Sequence, residues 1–365
     1  MRIAEIHLHR IELPLTRPYK VSSKEILVFD PLVAEIRDMD GRGGWGEALI
    51  SKGYGIETAE GGWAFCNSRA EAMVGLSVTE AKRLLMRDIE QQPQATSLLF
   101  TALEMLEGSP LLQVAAETRV PLLEPVHAFT LEEIPAEVEH LLEQGFRTLK
   151  VKVGFDPEAD LARVAAIQAA VAGRAALRLD ANQGFTREQG CRFASALDPA
   201  GIQLFEQPCA MEDWAANAAV AAVSRVPVML DESIYSIADI ERAATIPGVG
   251  FVKLKLKKLG SLERLEEGLK RIRAFGMNPV LGDGVATEIG CWLEGCVART
   301  TVTNAGEMNG WLKPSARLFA DPLPIVDGAM VLRPGPMPAV DPATLSAHTR
   351  EQRRHAATRI TVPAG

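Results

Sequence analysis

Lysines alternate with aliphatic residues in two short stretches of this sequence. The first stretch is TLKVKVGF, which contains Lys150 and Lys152, and the second is FVKLKLKKLG, which contains Lys253 and Lys255. Successive side chains of a β-strand point to opposite faces, so each pair of lysines would share one face while the aliphatic side chains pack on the other. Both strands otherwise have the aliphatic composition of core strands. Lysines on one face of each therefore predict that this face lines a functional cavity.

Charged residues also mark the ends of other short apolar runs, at a nearly constant spacing. Consecutive members of this series are 24 to 28 residues apart, which is the length of one strand, one loop and one helix. The series is Lys152, Asp180, Glu206, Asp231, Lys255, Asp283 and Glu307. In a closed parallel barrel the ends of all the strands meet at one mouth, so these side chains are predicted to lie together.

The three acidic residues in the middle of the series predict a metal site. Asp180, Glu206 and Asp231 would repel one another at the ends of adjacent strands unless a divalent cation lay between them. A ligand set of oxygen atoms alone favours Mg²⁺ over zinc. Asn182 and Gln207, which each come just after one of these acids, are predicted to orient the site without contacting the metal.

Lys152 and Lys255 flank the predicted metal site and are candidate acid/base groups. A free lysine titrates near pH ~10.4, which is too high for a general base at neutral pH. A metal between the two ammonium groups lowers the proton affinity of both, because like charge disfavours the charged form. A carboxylate substrate held there would have one amine on each face of the carbon beside its carboxylate, where a proton could be removed.

The surrounding sequence predicts the elements that position these residues. EPVHAFT, residues 124–130, precedes the series as a further strand, and amphipathic helices such as LERLEEGLKRIRAFG separate the runs. An open doubly wound sheet is the main alternative to a barrel, but no glycine-rich phosphate loop follows the first strand. We expect a capping domain at 1–123, a barrel at 124–318, and a segment at 319–365 that returns to the capping domain.

Composition places the chain among ordinary globular proteins. It has 365 residues, of which 47% are hydrophobic and 24% charged, and a formal net charge of -8, which disfavours nucleic acid as a partner. No apolar run approaches the roughly 18 residues that a membrane span needs, and the first residues lack a signal-peptide core. Five scattered cysteines without CxxC spacing predict reduced thiols and a cytoplasmic location.

Several motifs, taken together and in order, resemble one known family. KVK, LDANQGF, FEQP, LDES and KLKKLGSL, with GWGE near the N-terminus, are similar to the enolase superfamily and specifically to its muconate lactonizing enzyme subgroup. The resemblance implies an α/β fold, a (β/α)7β modified TIM barrel with an α+β capping domain built from both chain ends. All six histidines lie outside the second to eighth predicted strands, whereas the mandelate racemase branch uses a histidine on a later strand.

The same resemblance implies roles for individual residues. Asp180, Glu206 and Asp231 would ligate Mg²⁺, Lys152 and Lys255 would move protons, and Lys150 would be an auxiliary cation near the substrate carboxylate. The residues expected to bind substrate are Lys150, Asp283, Glu307 and Tyr54. Tyr54 lies in one of two cap loops, near residues 16–25 and 51–58, that would close over the substrate. Asp283 and Glu307 have three open interpretations: each could bind a substrate ammonium group, pair with a lysine or cap a helix.

We therefore expect an enzyme that abstracts a proton next to a carboxylate through an enediolate intermediate. Two lysines on opposite faces favour a racemase or epimerase, and the acids at the last two strands favour an amino-acid-derived substrate such as a dipeptide or N-modified amino acid. The alternative is a cycloisomerase or syn-dehydratase, similar to muconate cycloisomerase or o-succinylbenzoate synthase. A non-catalytic binding or structural relative is the remaining class. By analogy with other barrel families, we also expect a homo-oligomer.

Overall fold

The computed structural model describes residues 1–21, 24–50 and 56–357. Its N-terminal part contains five strands followed by three helices. These elements are β1 (Ile3–Ile11), β2 (Leu13–Val21), β3 (Lys24–Phe29), β4 (Leu32–Asp38), β5 (Gly43–Ala48), α1 (Ala59–Met73), α2 (Val78–Met86) and α3 (Pro93–Leu106). The strands β1, β4 and β5 pair antiparallel in one sheet, and β2 and β3 form a separate two-stranded ribbon.

Two glycines of the GWGE motif allow α3 to pack directly on β5. A Cβ atom at Gly46 would stand 1.9 Å from the Leu98 carbonyl oxygen, and one at Gly44 would stand 2.1 Å from the Ala102 carbonyl oxygen. No side chain fits at such distances, so the strand backbone itself forms the floor on which the helix lies. Because Glu47 is the last residue of this motif, the close packing also fixes where its carboxylate points.

The central part of the chain alternates strands and helices. After the 3-10 turn Pro110–Leu112, its elements are β6 (Thr118–Pro121), β7 (Glu124–Val126), α4 (Ile134–Glu143), β8 (Thr148–Lys152), α5 (Pro157–Val171), β9 (Ala176–Asp180), α6 (Arg187–Ala196), β10 (Ile202–Glu206), α7 (Trp214–Val223), β11 (Val228–Leu230), α8 (Ile237–Ala244), β12 (Val249–Leu254), α9 (Leu256–Leu259), α10 (Leu262–Ala274), β13 (Asn278–Leu281) and α11 (Glu288–Thr301). Strands β7 to β13 form one seven-stranded sheet, neighbour to neighbour in sequence order, and every pair is parallel.

The eighth predicted strand, TVTNAGE, is not a regular strand in the structure. Thr301 is the last residue of α11, and the segment that follows closes the barrel through a few backbone hydrogen bonds to its two neighbours. The Glu307 backbone N–H donates to the Leu281 carbonyl at 2.9 Å, and the Leu123 N–H donates to the Gly306 carbonyl at 2.9 Å. These hydrogen bonds involve too few residues to form a β-ladder, but they close the sheet between β13 and the start of β7.

The C-terminal part returns to the N-terminal sheet. Its elements are the 3-10 turn Gly310–Leu312, β14 (Ile325–Val326), β15 (Ala329–Leu332), α12 (Pro342–His348) and β16 (Thr349–Ala356). Strand β16 pairs antiparallel with β1, which gives the capping sheet the order β16-β1-β4-β5 and builds it from both chain ends. The fold is therefore the capped α/β barrel that the sequence predicts.

Two buried carboxylates of the capping domain accept hydrogen bonds from the first turns of two barrel helices. Glu47 accepts hydrogen bonds from the backbone N–H groups of Thr287 and Gly290, each at 2.7 Å, where α11 begins. Glu104 accepts the Leu262 N–H at 2.9 Å in the first turn of α10. Backbone N–H groups at the start of each helix thus have a carboxyl partner from the capping domain, so both contacts join the capping domain to the barrel.

All five cysteines are free thiols. Among the helices in the described ranges, none combines the length and apolar character that crossing a membrane requires.

Candidate active site

Five charged residues lie side by side where consecutive barrel strands end. Lys152 ends β8, Asp180 ends β9 and Glu206 ends β10, and the three are paired in register across the sheet. Asp231 directly follows β11, and Lys255 directly follows β12. All five side chains are buried, with at most 7% of any residue exposed. The structure therefore brings these predicted residues together in the predicted order.

Each outer lysine pairs with the carboxylate next to it. Lys152 Nζ lies 2.6 Å from Asp180 Oδ2, and Lys255 Nζ lies 2.9 Å from Asp231 Oδ2. The two amines therefore stand at opposite ends of the row of three carboxylates, with Glu206 in the middle. Both point into the barrel mouth, where they could act on a carbon held between them.

A second pair of lysines lies among the carboxylates one layer deeper in the barrel. Lys150 Nζ is 2.8 Å from Asp180, 3.1 Å from Glu206 and 2.7 Å from Glu307. Lys253 Nζ is 3.1 Å from Glu206, and it also contacts Glu307 across the barrel. Glu307 therefore joins the two deeper lysines, and all of these side chains are buried.

The donor chemistry of this row fits a hard divalent cation. Asp180, Glu206 and Asp231 offer only carboxylate oxygens, and each residue is at most 1% exposed. Within the described ranges, no three acidic, histidine or cysteine side chains are gathered closely enough to hold a metal ion as they stand. Ammonium groups lie between the carboxylates instead, so a cation bound here would compete with Lys150 and Lys253 for them.

Charge and burial move the pKa values of these carboxyl groups in opposite directions. Burial raises the pKa of Glu206 to about 7, and the nearby Asp180 charge adds to this. Burial also disfavours ionised Asp180, but Lys150 and Lys152 outweigh burial and hold its pKa at about 2. Burial by itself lowers the pKa of Lys152, yet the Asp180 carboxylate outweighs it and raises that pKa above the usual lysine value. Asp180 and Lys152 thus stabilise each other in the charged state.

The two predicted orienting residues contact the ends of the row. Asn182 Oδ1 accepts a hydrogen bond from Lys152 Nζ at 2.5 Å, and its side-chain amide donates to Glu232 at 3.0 Å. Gln207 Oε1 accepts the backbone N–H groups of Asp231 at 3.0 Å and Ser233 at 3.2 Å. Asn182 therefore fixes an amine, whereas Gln207 fixes the backbone that carries a carboxylate.

The residues expected to bind substrate have different surroundings. Asp283 Oδ2 lies 2.6 Å from Lys257 Nζ, and Glu307 contacts Lys150 and Lys253. Of the three interpretations left open by the sequence, the structure thus presents pairing with lysine for both acids. Tyr54 lies outside the described residues.

Sequence reasoning missed two buried cations of the site. Lys258 Nζ lies 2.6 Å from Asp231 Oδ1, so this carboxylate has lysines on both of its oxygens. Arg178 is fully buried on β9, and its guanidinium donates to the Ala305 carbonyl at 2.8 Å and to Asn304 Oδ1 at 2.9 Å. Arg178 lies two residues before Asp180 on β9, so strand alternation places both on the same face. This spacing could have predicted from the sequence that Arg178 belongs to the site.

A cavity opens beside Lys152, and a second cavity adjoins it. The first has a volume of about 280 Å³ and is lined by Lys152, Arg17, Tyr19 and His127 among others. The second has a volume of about 380 Å³, shares the last three of these residues and extends to Lys313. Burial, followed by the charges of Arg17, Lys313 and Lys152, lowers the pKa of His127 to about 3, so this imidazole is neutral near pH 7.

Comparisons with known proteins place the chain among enolase-related enzymes. Residues 133–336 match the family described as enolase C-terminal domain-like. The chain is 29% identical over 306 residues to the L-Ala-D/L-Glu epimerase of Bacillus subtilis, covering 80% of this chain and 83% of that protein. It is 32% identical over 275 residues to the L-Lys-D/L-Arg epimerase of Methylococcus capsulatus, covering 72% and 77%.

Solved structures share the fold. A dipeptide epimerase from Cytophaga hutchinsonii, complexed with Mg and the dipeptide D-Ala-L-Val, superimposes with a TM-score of 0.88 at 21% identity, covering 97% of this chain and 100% of that chain. Muconate cycloisomerases are also among the similar proteins. The match in fold extends over the capping domain as well as the barrel.

Proposed function

This chain belongs to the enolase C-terminal domain-like family, and on that premise we propose that it is a racemase or epimerase of a carboxylate substrate. The observation that carries the proposal is the uninterrupted row of Lys152, Asp180, Glu206, Asp231 and Lys255 at the ends of five consecutive strands. An amine at each end of a row of buried carboxylates gives one proton-transfer group for each face of a substrate carbon.

In the proposed reaction the two lysines alternate in role. One of them, as the neutral amine, accepts the proton from the carbon beside the substrate carboxylate. The other, as the ammonium ion, donates a proton to the opposite face of that carbon, which inverts it. The reverse reaction exchanges the roles of Lys152 and Lys255. Asn182 supports this scheme because its hydrogen bond at 2.5 Å fixes the Lys152 amine in the barrel mouth.

We further propose that Asp180, Glu206 and Asp231 hold Mg²⁺. A bound Mg²⁺ would supply positive charge to stabilise the enediolate that forms when the proton leaves. The buried carboxylate-only donor set supports this assignment, as does the Mg in the related dipeptide epimerase structure. Lys150, one layer deeper, would contribute a further cation near the substrate carboxylate.

The substrate class is proposed to be an amino-acid derivative, such as a dipeptide or N-modified amino acid. The names of the relatives, which are epimerases of dipeptides, support this class. The contacts of Asp283 and Glu307 point to a different role for these two acids, because each is paired with lysine and its charge is already balanced. We therefore assign substrate selection to other residues of the barrel mouth.

The second candidate is a cycloisomerase or syn-dehydratase, in which a single lysine moves the proton. The muconate cycloisomerases among the relatives favour this candidate. We also propose a cytoplasmic homo-oligomer: the five free thiols support the compartment, and the oligomer rests on analogy with other barrel enzymes.

The test is solvent exchange followed by NMR. The enzyme with Mg²⁺ is incubated in D₂O with a library of dipeptides and N-acyl amino acids, and the proton next to the carboxylate is monitored. Exchange with inversion is expected for a racemase or epimerase, whereas loss of water or ring closure would favour the second candidate. No exchange with any member of the library would favour a binding protein without catalysis.

Variants of the two lysines test their assignment. We expect Lys152→Ala and Lys255→Ala each to reduce turnover by at least about 100-fold, because general acid–base catalysis contributes about 10²–10⁴-fold. The matched control is Lys270→Ala, since this lysine on α10 is 64% exposed and pairs only with Glu266 at 2.8 Å in the described chain. Full turnover in both active-site variants would disprove the two-base scheme.

A further inference from the structure

Asn182 contacts the amine of Lys152 from a strained turn. Its side-chain oxygen accepts the Lys152 Nζ–H at 2.5 Å, and its φ of 41° lies in the left-handed region that residues other than glycine rarely adopt. Gln183 follows with a φ of 69°. Two such residues in succession cost conformational free energy, which the surrounding contacts must offset. The chain is therefore strained at the point that brings this amide to the amine.

The backbone of this turn is held by contacts on both sides. The Asn182 N–H donates to Asp180 Oδ1 at 2.9 Å, and the Gln183 N–H donates to the Gln207 carbonyl at 2.9 Å. Gly184 packs directly on the preceding loop, because a Cβ atom there would stand 2.4 Å from the Gly154 carbonyl oxygen. These contacts fix where the side chain of Asn182 begins. They do not fix which way its amide faces, because the last torsion of asparagine has broad preferences.

Glu232 determines which way the Asn182 amide faces. The amide nitrogen donates to Glu232 Oε1 at 3.0 Å, and Glu232 is only 1% exposed. The amide nitrogen thus lies toward an accepting oxygen, and the amide oxygen lies toward Lys152. The opposite orientation would place amide N–H groups against an ammonium ion, which has no lone pair to accept them. Two hydrogen bonds therefore link Lys152 to Glu232 through Asn182.

The charges that face Glu232 do not explain its position as an ion pair. Burial raises the pKa of Glu232, the charges of Asp231 and Asp180 add to this, and Lys255 opposes it. A third buried carboxyl group beside two others is unfavourable for the fold. Its hydrogen bond from Asn182 does not depend on its charge, because a carboxyl oxygen can accept in either protonation state. Glu232 therefore fits a positioning role better than a stabilising one.

We propose that Glu232 is a positioning residue for proton transfer at Lys152, and that it acts through the Asn182 amide without contacting the substrate. This inference rests on the proposed function, in which Lys152 serves one face of the substrate carbon. Both the ammonium ion and the neutral amine have an N–H to donate to an amide oxygen. A cation bound by Asp180 would compete with Lys152 for that carboxylate, and Asn182 would then hold the amine in place. Loss of the Glu232 oxygen should impair proton transfer on the Lys152 face alone.

The test measures solvent exchange separately for two isomers, L-Ala-L-Glu and L-Ala-D-Glu, in D₂O with Mg²⁺. Lys152→Ala identifies the isomer whose proton faces Lys152, because exchange of that isomer is lost. Glu232→Met removes the accepting oxygen, and we expect it to slow exchange of this isomer at least about tenfold, since a misplacement of ~1 Å can cost about 10²-fold. Exchange of the other isomer should fall less than about threefold.

Glu232→Gln separates hydrogen bonding from charge. It removes the same negative charge but keeps an oxygen that can accept from Asn182, so exchange of the affected isomer should stay within about threefold of wild type. Asn182→Ala should lose as much as Glu232→Met, and the double variant should lose less than about twofold more. Glu288→Gln is the matched control, because Glu288 is also buried but accepts the Phe319 N–H at 2.9 Å. Any loss in this control should be equal for both isomers.

Crystal structures of the variants supply a readout without turnover. In Glu232→Met, Lys152 Nζ should lie beyond hydrogen-bond distance of the Asn182 oxygen, whereas in Glu232→Gln the contact should persist. Circular dichroism and melting temperature report whether each variant is folded. Glu232→Ala removes the same oxygen and replaces Glu232→Met should that variant not fold.

The outcomes also separate this inference from the proposed function. Equal losses for both isomers, a loss in Glu232→Gln as large as in Glu232→Met, or an unchanged amine contact in Glu232→Met would overturn the positioning role. A displaced amine in an enzyme that exchanges neither isomer would uphold the positioning of Lys152 and count against the proposed reaction.

Discussion

Glu307→Gln tests whether this residue serves the buried charge network or the substrate. Its carboxylate lies 2.7 Å from Lys150 Nζ and also contacts Lys253, and all three residues are at most 3% exposed. The substitution keeps the size of the side chain but removes one negative charge. Two buried lysines would then share the remaining carboxylates, and the net charge of the cluster would become more positive by one unit.

The expected loss of stability is large. Removing one partner of a buried ion pair costs about 3–5 kcal/mol, because the other partner keeps its desolvation cost without its counter-charge. An exposed ion pair contributes less than about 1 kcal/mol to the free energy of unfolding. Asp327→Asn is the matched control, since Asp327 pairs with Arg119 at 3.0 Å with side-chain exposures of 79% and 53%. We expect Glu307→Gln to lower the free energy of unfolding by at least about 2 kcal/mol more than Asp327→Asn does.

The assay is urea unfolding of the enzyme in EDTA, monitored by tryptophan fluorescence and circular dichroism. Coincident transitions and an unchanged m-value are needed before the free energies of unfolding are compared. The double variant Lys253→Met/Glu307→Gln removes both charges of one pair. The double variant should lose less free energy of unfolding than the two single variants lose in total, by about 2 kcal/mol or more.

A substrate-binding role predicts the opposite result. If Glu307 bound only a substrate ammonium group, the free enzyme would not need its charge, and Glu307→Gln would be neutral or stabilising. The effect would then appear as a higher KM alone. A loss of stability below about 1 kcal/mol, with additive behaviour in the double variant, would refute the network derived from these contacts.

Two further predictions concern the capping domain. Burial raises the pKa of Glu104 to about 7 from an ordinary value of 4.5, so its stabilising contribution is complete below pH ~4.5 and is lost as the pH rises through about 7. Between pH 5 and 8, the free energy of unfolding of the wild type, measured in urea, should fall by up to about 3 kcal/mol more than that of Glu104→Gln. If the two proteins instead lose stability in parallel as the pH rises, this prediction is contradicted. Gly46→Ala should destabilise the enzyme by about 1–3 kcal/mol, because its Cβ would meet the Leu98 carbonyl at 1.9 Å. Gly43→Ala is the control, since the nearest atom to its Cβ would be a Glu35 carboxylate oxygen at 3.5 Å, and equal melting temperatures for the two variants would refute the packing argument.

The barrel and the order of its site residues were predictable because they depend on local spacing. The period of 24 to 28 residues between charged strand ends requires only that each strand be followed by a helix that packs back on the sheet. Once the strands are parallel, their ends meet at one mouth regardless of loop details. For this reason, the sequence placed Lys152, Asp180, Glu206, Asp231 and Lys255 in a row without any knowledge of their contacts.

The eighth strand shows where local spacing is insufficient. Residues TVTNAGE have a strand-like composition, yet Thr301 belongs to α11 and only a few backbone hydrogen bonds join Gly306 and Glu307 to their neighbours. Closure of the barrel is decided by the geometry of β7 and β13, which are far apart in sequence. Local propensity does not report that geometry.

The sequence by itself determined which face and which strand end each charged residue occupies, since alternation and period are properties of the chain alone. Only the tertiary structure decided which charges become partners. Glu307 meets Lys150 and Lys253 across the interior of the barrel, and the Tyr19 ring lies 5.9 Å from Lys152 Nζ and 4.9 Å from Lys313 Nζ. Contacts of this kind depend on distances across a closed sheet, and electrostatic energy falls with those distances rather than with separation along the chain.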